Sequence, residues 1–159
     1  MRGAEGHRVA RKAFEAGASE REIHWAFLQA TGHTEHEVPF ETIVAYDEKT
    51  ATLHYHNKRT LIPTARHTFM LDAGAACDGY ASDITRTFPV NGRFSPEQRA
   101  VYEVVLEAQE AAFARIKPGN HWNDPHDAAV RAITQGLVRL GLLKGRVPAL
   151  IKEGAYRKF

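Results

Sequence analysis

The chain has 159 residues, of which 43% are hydrophobic and 25% are charged, and its formal net charge is +2. This composition is typical of one globular domain with a real core, and no arginine-rich stripe predicts nucleic-acid binding. No apolar run reaches the ~20 residues of a membrane span, and the N-terminus lacks the apolar stretch of a secretory signal. A single cysteine, Cys77, leaves no intrachain disulfide. We therefore expect a soluble, cytoplasmic, single-domain protein that binds neither nucleic acid nor membrane.

Two pairs of helices are predicted, one near each end of the chain. Residues 5–16 and 20–32 carry apolar side chains at helical spacing, and Ser19 with Glu22 forms a capping box before the second helix. Longer helices are predicted over residues 96–116 and 124–140. The two pairs align as a faint repeat. Either all helical hairpins look alike, or the chain is a pseudo-twofold domain whose second half stops before its strands.

Strands are predicted in the middle of the chain. Three short runs are rich in β-branched and aromatic residues and are separated by polar turns: "ETIVAY" (41–46), "ATLHYH" (51–56) and "HTFMLDAG" (67–74). His54 is thus expected in mid-strand, where a lone histidine is commonly a hydrogen-bonded polar residue. The helix and loop histidines are expected to be solvated: His7, His24, His33, His36, His121 and His126.

A hairpin is predicted in the stretch "LDAGAACDGYASDITRTF", residues 71–88. The dipeptide at 78–79, Asp-Gly, is a strong type I′ turn signal. A two-residue loop pairs Asp72 with Thr85, so Asp72 and Asp83 share one face as diagonal neighbours. A four-residue loop would place the two aspartates directly opposite, and only a loop with an odd number of residues would separate them.

Two carboxylates on one face of a hairpin need an explanation, because like charges that face each other destabilise a sheet and raise each other's pKa. A divalent cation between Asp72 and Asp83 removes both penalties. In the alternative, Asp72 caps the turn that follows it and Asp83 pairs with Arg66 or Arg86. The spacing of the residues leaves these two interpretations open.

Four segments carry a resemblance to a known family: "LHY" at 53–55, the block 71–109 that contains "GYASDITRTFPVNG", then "KPG" and "GLVRLGLLKG". They resemble the Xaa-Pro aminopeptidase (aminopeptidase P) and prolidase branch of the pita-bread metallopeptidases. The resemblance implies an α+β, creatinase/aminopeptidase-like fold in partial form: two helices, antiparallel strands with the Asp-Gly hairpin, and two further helices. Residues 1–159 would then be the N-terminal part of a catalytic domain.

The resemblance also implies roles for four residues. Asp72 and Asp83 match the first two metal ligands, one chelating and one bridging, for two divalent ions, foremost Mn²⁺. His54 matches a histidine that contacts substrate near the metal pair, and Thr85 would hydrogen-bond behind the ligands. The implied reaction is hydrolysis of peptides with proline at the second position, by attack of a metal-bridging hydroxide.

The chain also departs from the family pattern. The remaining family ligands, a histidine in an "HGxGH"-like segment and two glutamates, are absent from the sequence. We therefore expect a weakly active or inactive part of an enzyme, with apolar helix faces left exposed. The alternatives are a non-catalytic pita-bread module that binds peptides or proteins, and half of a split enzyme complemented by a C-terminal fragment. A homo-oligomer is a further open possibility.

Overall fold

The computed structural model describes residues 2–159, which form two compact units. The first unit ends at Arg93, and the second is Phe94–Phe159. The elements follow in chain order: α1 (Arg2–Glu15), α2 (Glu20–Thr31), β1 (Ile43–Tyr46), β2 (Thr68–Ala73), β3 (Ala76–Cys77), β4 (Tyr80–Ala81), β5 (Ile84–Pro89), α3 (Pro96–Phe113), α4 (Asn123–Arg139) and α5 (Val147–Lys152). Two 3-10 helices cover Asp47–Ala51 and Ala155–Lys158.

The ends of α2 lie where the sequence predicts them. The Ser19 hydroxyl accepts from the backbone N–H of Glu22, and the Glu22 carboxylate accepts from the backbone N–H of Ser19 at 2.7 Å. The helix ends at Gly32, whose φ of 69° is left-handed and therefore suits glycine. Ser95 caps α3 by the same reciprocal arrangement with Gln98.

The first unit packs α1 and α2 on one face of an antiparallel sheet with strand order β1-β2-β5. Burial alternates along β2, as the period of two requires, and Phe69, Leu71 and Ala73 face the helices. The rings of Phe14 and Phe69 stack with centroids 4.6 Å apart. The other sheet face carries a smaller apolar cluster: Ile43, Ala45 and Tyr55, with Met70 packed against them. The sheet therefore has an apolar side under the helices and a second side available for polar groups.

The prediction of a strand over residues 51–56 is wrong. The chain leaves β1 at Asp47, which has a φ of 49° and opens a 3-10 helix. The Asp47 carboxylate accepts from the backbone N–H groups of His67 (2.6 Å) and Thr68 (2.8 Å), so it closes the loop onto the start of β2. Because β1 pairs directly with β2, residues 51–56 lie outside the sheet, and His54 sits in a turn with a φ of 51°.

The expectation that the helix histidines are solvated is wrong for two of them. His7 is 8% exposed and His24 is 1% exposed. His7 shares a helix face with the buried residues of α1 and packs edge-on against Phe27. The His24 Nε2 bonds to a Glu35 carboxylate oxygen at 2.8 Å. Both rings thus bury their carbon atoms while keeping one polar partner each.

The second unit consists of helices joined by loops. A Cβ atom added at Gly136 on α4 would lie 2.3 Å from Val104 Cγ1 on α3, so the two helices approach closely at this glycine. The sequence patterns do not predict the short helix α5 or the final 3-10 helix. Apolar side chains on or after α3 are exposed, as expected: Val101, Val105, Phe113 and Ile116. Across residues 2–159, no helix combines the length and apolar character needed to cross a membrane.

Candidate active site

Asp72 and Asp83 lie on the same face of the hairpin. Strand β2 pairs Asp72 with Thr85, and β3 pairs Cys77 with Tyr80. Asp83 is two residues before Thr85, so its side chain points to the same side as that of Asp72. The turn residues at 78 and 79 have φ values of 51° and 82°, as a type I′ turn requires. The predicted two-residue loop is therefore confirmed.

The two carboxyl groups interact electrostatically. Partial desolvation raises the pKa of Asp83, and the nearby negative charge of Asp72 raises this pKa further. The Oδ1 atom of Asp72 is buried and has no hydrogen-bond partner within residues 2–159. A buried carboxylate oxygen without a partner is costly. The fold thus holds the two carboxylates close together although their negative charges repel.

The alternative roles predicted for these aspartates are not seen. Among the salt bridges of the described residues, none involves Asp72 or Asp83. Arg86 donates to the carbonyl oxygen of Thr85, and the guanidinium of Arg66 lies over the Tyr46 ring at 5.8 Å from its centroid. No arginine of the described chain therefore neutralises the pair.

A divalent cation fits this arrangement, because it would satisfy the orphaned oxygen of Asp72 and relieve the repulsion from Asp83. The donor set is nevertheless small. Within residues 2–159, no group of three or more histidine, cysteine, aspartate or glutamate side chains is arranged to hold a metal. The two aspartates are thus the only pair of candidate oxygen donors that the described chain brings together on this face of the hairpin.

Gly74 and Ser82 hold the two carboxylate-bearing strands close together. A Cβ atom at position 74 would lie 2.0 Å from the backbone oxygen of Ser82, so only glycine allows this approach. The N–H of Ser82 donates to the carbonyl of Ala75 at 3.0 Å, and the Ser82 hydroxyl accepts from the N–H of Ala75 at 3.0 Å. These contacts lie between Asp72 and Asp83 and fix the spacing of the two strands.

His7 supports the same strands from the helical side. Its Nε2 bonds to the carbonyl oxygen of Ala73 at 3.2 Å, so Nε2 carries the proton. Burial lowers the pKa of His7, and the hydrogen bond to Ala73 opposes this shift. Ala73 and Ile84 are cross-strand partners, each directly following one aspartate. Sequence reasoning missed His7, although its helical spacing from Gly3, Ala10 and Phe14 places it on the buried face of α1.

The other two predicted site residues are exposed. Thr85 lies opposite Asp72 on β5, and its hydroxyl makes no hydrogen bond to either aspartate in the described chain. His54 makes no such bond either, and its ring lies 6.2 Å from that of His56. The neighbouring Tyr55 is buried on the sheet face that carries the aspartates, beside Ile43, the cross-strand partner of Asp72. His54 therefore adjoins in sequence a residue that is buried on this face, but it makes no hydrogen bond to the carboxylates in the described chain.

Comparison with known proteins adds independent information. Residues 2–156 match the model of metallopeptidase family M24. The chain is 37% identical over 156 residues to a probable Xaa-Pro aminopeptidase of Talaromyces stipitatus, covering 94% of this chain and 33% of the relative. It is 47% identical over 121 residues to the Xaa-Pro aminopeptidase of Haemophilus influenzae, covering 76% of this chain and 28% of the relative.

Solved structures show the same likeness. Pseudomonas aeruginosa aminopeptidase PepP superposes with a TM-score of 0.85 at 44% identity, over 99% of this chain and 37% of that protein. A zinc-substituted Escherichia coli aminopeptidase P in complex with product superposes with a TM-score of 0.83 at 34% identity, over 99% of this chain and 37% of that protein. The α+β fold is therefore that of part of an aminopeptidase P, and the chain spans about a third of the length of these relatives. By sequence and fold, the chain belongs to metallopeptidase family M24.

Proposed function

We propose that this chain is the N-terminal part of a catalytic domain that removes an N-terminal residue from peptides with proline in second position. The observation that carries the proposal is the juxtaposition of Asp72 and Asp83, with one buried carboxylate oxygen unsatisfied and no neighbouring cation within the described residues. The relatives named as Xaa-Pro aminopeptidases support the substrate class. Residues outside this chain would complete the site.

In this proposal, Asp72 and Asp83 would hold two divalent ions, foremost Mn²⁺. When bound, such ions supply an activated water as nucleophile and polarise the scissile carbonyl. His54 donates a hydrogen bond to the substrate, since its exposed imidazole is free of other hydrogen bonds in the described chain. Thr85, opposite Asp72, would orient a ligand carboxylate through its hydroxyl in the complete site.

Metal binding tests the proposal directly. Loss of the free Mn²⁺ electron paramagnetic resonance signal measures binding to the 159-residue chain. We expect weak binding, because two carboxylates fall short of the roughly six ligands that a hard cation prefers. Asp83→Asn should abolish it. The matched control is Asp78→Asn, which changes a carboxylate at the exposed turn of the same hairpin and should bind as the parent does. Equal Mn²⁺ binding by the Asp83→Asn variant and the parent chain would contradict the assignment of Asp83 as a metal ligand.

A peptidase assay tests whether this chain lacks part of the active site. The 159-residue chain should hydrolyse Xaa-Pro peptides negligibly even with added Mn²⁺, because the sequence lacks the remaining family ligands. Robust turnover by the purified chain would show this account to be wrong. An in-frame "HGxGH" segment and two glutamate motifs downstream of Phe159 would support the catalytic assignment. Their absence from the genome would favour a non-catalytic binding module.

A further inference from the structure

Glu20 is a buried carboxylate that the proposed reaction does not use. It is the first residue of α2, and its side chain has no exposed surface. Its oxygens accept five hydrogen bonds. The Oε1 atom accepts from the Tyr46 N–H (3.1 Å) and from Nε (3.2 Å) and Nη2 (3.0 Å) of Arg59. The Oε2 atom accepts from the Tyr55 hydroxyl (2.9 Å) and the Arg59 N–H (2.8 Å). This carboxylate is therefore fully satisfied, unlike that of Asp72.

The donors to Glu20 come from one region of the chain. Tyr46 ends β1, and Tyr55 and Arg59 lie in the loop that connects β1 to β2. Asp47 closes the far end of this connection onto β2, but the other side-chain ion pairs of residues 54–59 involve exposed carboxylates. Glu41 pairs with His56 at 3.2 Å and with Lys58 at 3.4 Å, but its side chain is half exposed, and exposed ion pairs contribute little. Glu20 is thus the main buried polar anchor of the loop.

The loop presents His54 directly beside the anchored Tyr55. The Tyr55 ring is 7% exposed and packs with Ile43 and Ala45 on the sheet face that carries Asp72 and Asp83. Its hydroxyl reaches Glu20, so the ring is fixed by packing and by a hydrogen bond at once. His54, one residue earlier, has a φ of 51° and is exposed, so its own contacts do not hold it in place. The position of His54 therefore depends on Tyr55.

Replacing the Glu20 carboxylate would disturb this arrangement selectively. A glutamine of the same shape has one acceptor oxygen and an NH₂ group that donates. That NH₂ group would face the donors of Arg59 or Tyr55, leaving buried groups unpaired. Removing one partner of a buried ion pair is also far more harmful than removing both. The loop should therefore detach from α2 while the capping box formed by Ser19 stays intact.

We propose that Glu20 is a positioning residue, which holds His54 over the carboxylate-bearing face by anchoring Tyr55 and Arg59. The importance of His54 for turnover rests on the proposed function, whereas the anchoring itself does not. The first test therefore measures structure in the 159-residue chain. Trypsin cleavage after Lys58 and Arg59 reports detachment of the loop, and the ring signals of His54 in ¹H–¹³C NMR spectra report its surroundings.

We expect Glu20→Gln to raise the cleavage rate at these sites at least tenfold and to shift or broaden the His54 signals. Ser19→Ala is the matched control, since it removes the cap of the same helix and leaves the Glu20 hydrogen bonds in place; it should change neither readout. If Glu20→Gln fails to fold, Tyr55→Phe removes a single hydrogen bond and should give the same changes to a smaller degree. Unchanged cleavage and unchanged His54 signals in the folded variants would overturn the proposal.

The second test uses the catalytically complete protein that contains this chain. Glu20→Gln should lower kcat on an Xaa-Pro peptide at least tenfold without loss of bound metal. In a His54→Ala background the same substitution should have no further effect on kcat, because Glu20 acts through His54. A merely structural role would lower kcat equally in both backgrounds, and that outcome would overturn the proposal. Absence of turnover in the unmodified protein would instead refute the proposed function and leave the structural test decisive.

Discussion

Gly74→Ala tests whether the close approach of the two strands fixes the carboxylate pair. The new Cβ atom would lie 2.0 Å from the Ser82 carbonyl oxygen, whereas ordinary contacts begin at 3.4 Å. The obstacle is backbone, so the strands must separate. Separation breaks the two shortest hydrogen bonds between Ala75 and Ser82, both of 3.0 Å, at about 1 kcal/mol each, and adds about 1–3 kcal/mol of overpacking. We expect a loss of about 3–5 kcal/mol in the free energy of unfolding.

Gly136→Ala is the comparison variant. There the added Cβ meets methyl groups of Val104, the nearest at 2.3 Å, so the obstacle is a side chain. Alanine also favours a helix over glycine by about 0.8–1 kcal/mol. The loss of free energy of unfolding should therefore be smaller, about 0–2 kcal/mol.

Urea unfolding followed by circular dichroism measures both variants, and hydrogen exchange assigns each loss to its unit. Faster exchange in residues 68–90 is expected for Gly74→Ala alone. The Gly74 variant should also lose Mn²⁺ binding, because Asp83 moves relative to Asp72. If Gly74→Ala is no more destabilising than Gly136→Ala, or if it keeps full Mn²⁺ binding, the reasoning from backbone approach is refuted.

Three further variants test individual contacts. Burial lowers the pKa of His24, with the charge of Lys58 contributing, so the unfolded chain binds more protons below pH ~6.5. The free energy of unfolding should therefore fall as the pH decreases below that value. In urea titrations at pH 5 to 7, His24→Gln should reduce this pH dependence. An unchanged pH dependence would contradict the assignment of the effect to His24. Burial, together with the hydrogen bond to Glu20, raises the pKa of Tyr55 to about 12. Glu20→Gln should lower it in an alkaline absorbance titration, and an unaltered titration would argue against that bond. Ser95→Ala should destabilise α3 by about 1 kcal/mol in thermal unfolding, and a loss of zero would show that the cap is dispensable.

The sequence predicts well what neighbouring residues determine. The hairpin register follows from the Asp-Gly dipeptide and the alternation of side chains, both local properties. The cap at Ser19 follows from residue types three positions apart. Local sequence is therefore sufficient to place Asp72 and Asp83 on one face of the hairpin.

The sequence predicts poorly what distant residues determine. Residues 51–56 have strand-like composition, yet Tyr55 and Arg59 bond to Glu20, 35 and 39 positions earlier in the chain. An acidic residue in the first turn of a helix is typically solvated and interacts with the helix dipole, so nothing in the pattern shows that Glu20 is buried. The role of His7 escapes prediction for the same reason, since its partner Ala73 is 66 positions away.

Both parts of the candidate site depend on the helices behind the sheet. From α1, His7 holds Ala73 and borders Ile84, the residues that follow the two aspartates. From α2, Glu20 holds the loop that carries His54. The carboxylates themselves repel and leave one buried oxygen unsatisfied, so they reduce stability where they stand. A fold that keeps this unfavourable pair of charges together supports the proposed cation-binding role of Asp72 and Asp83.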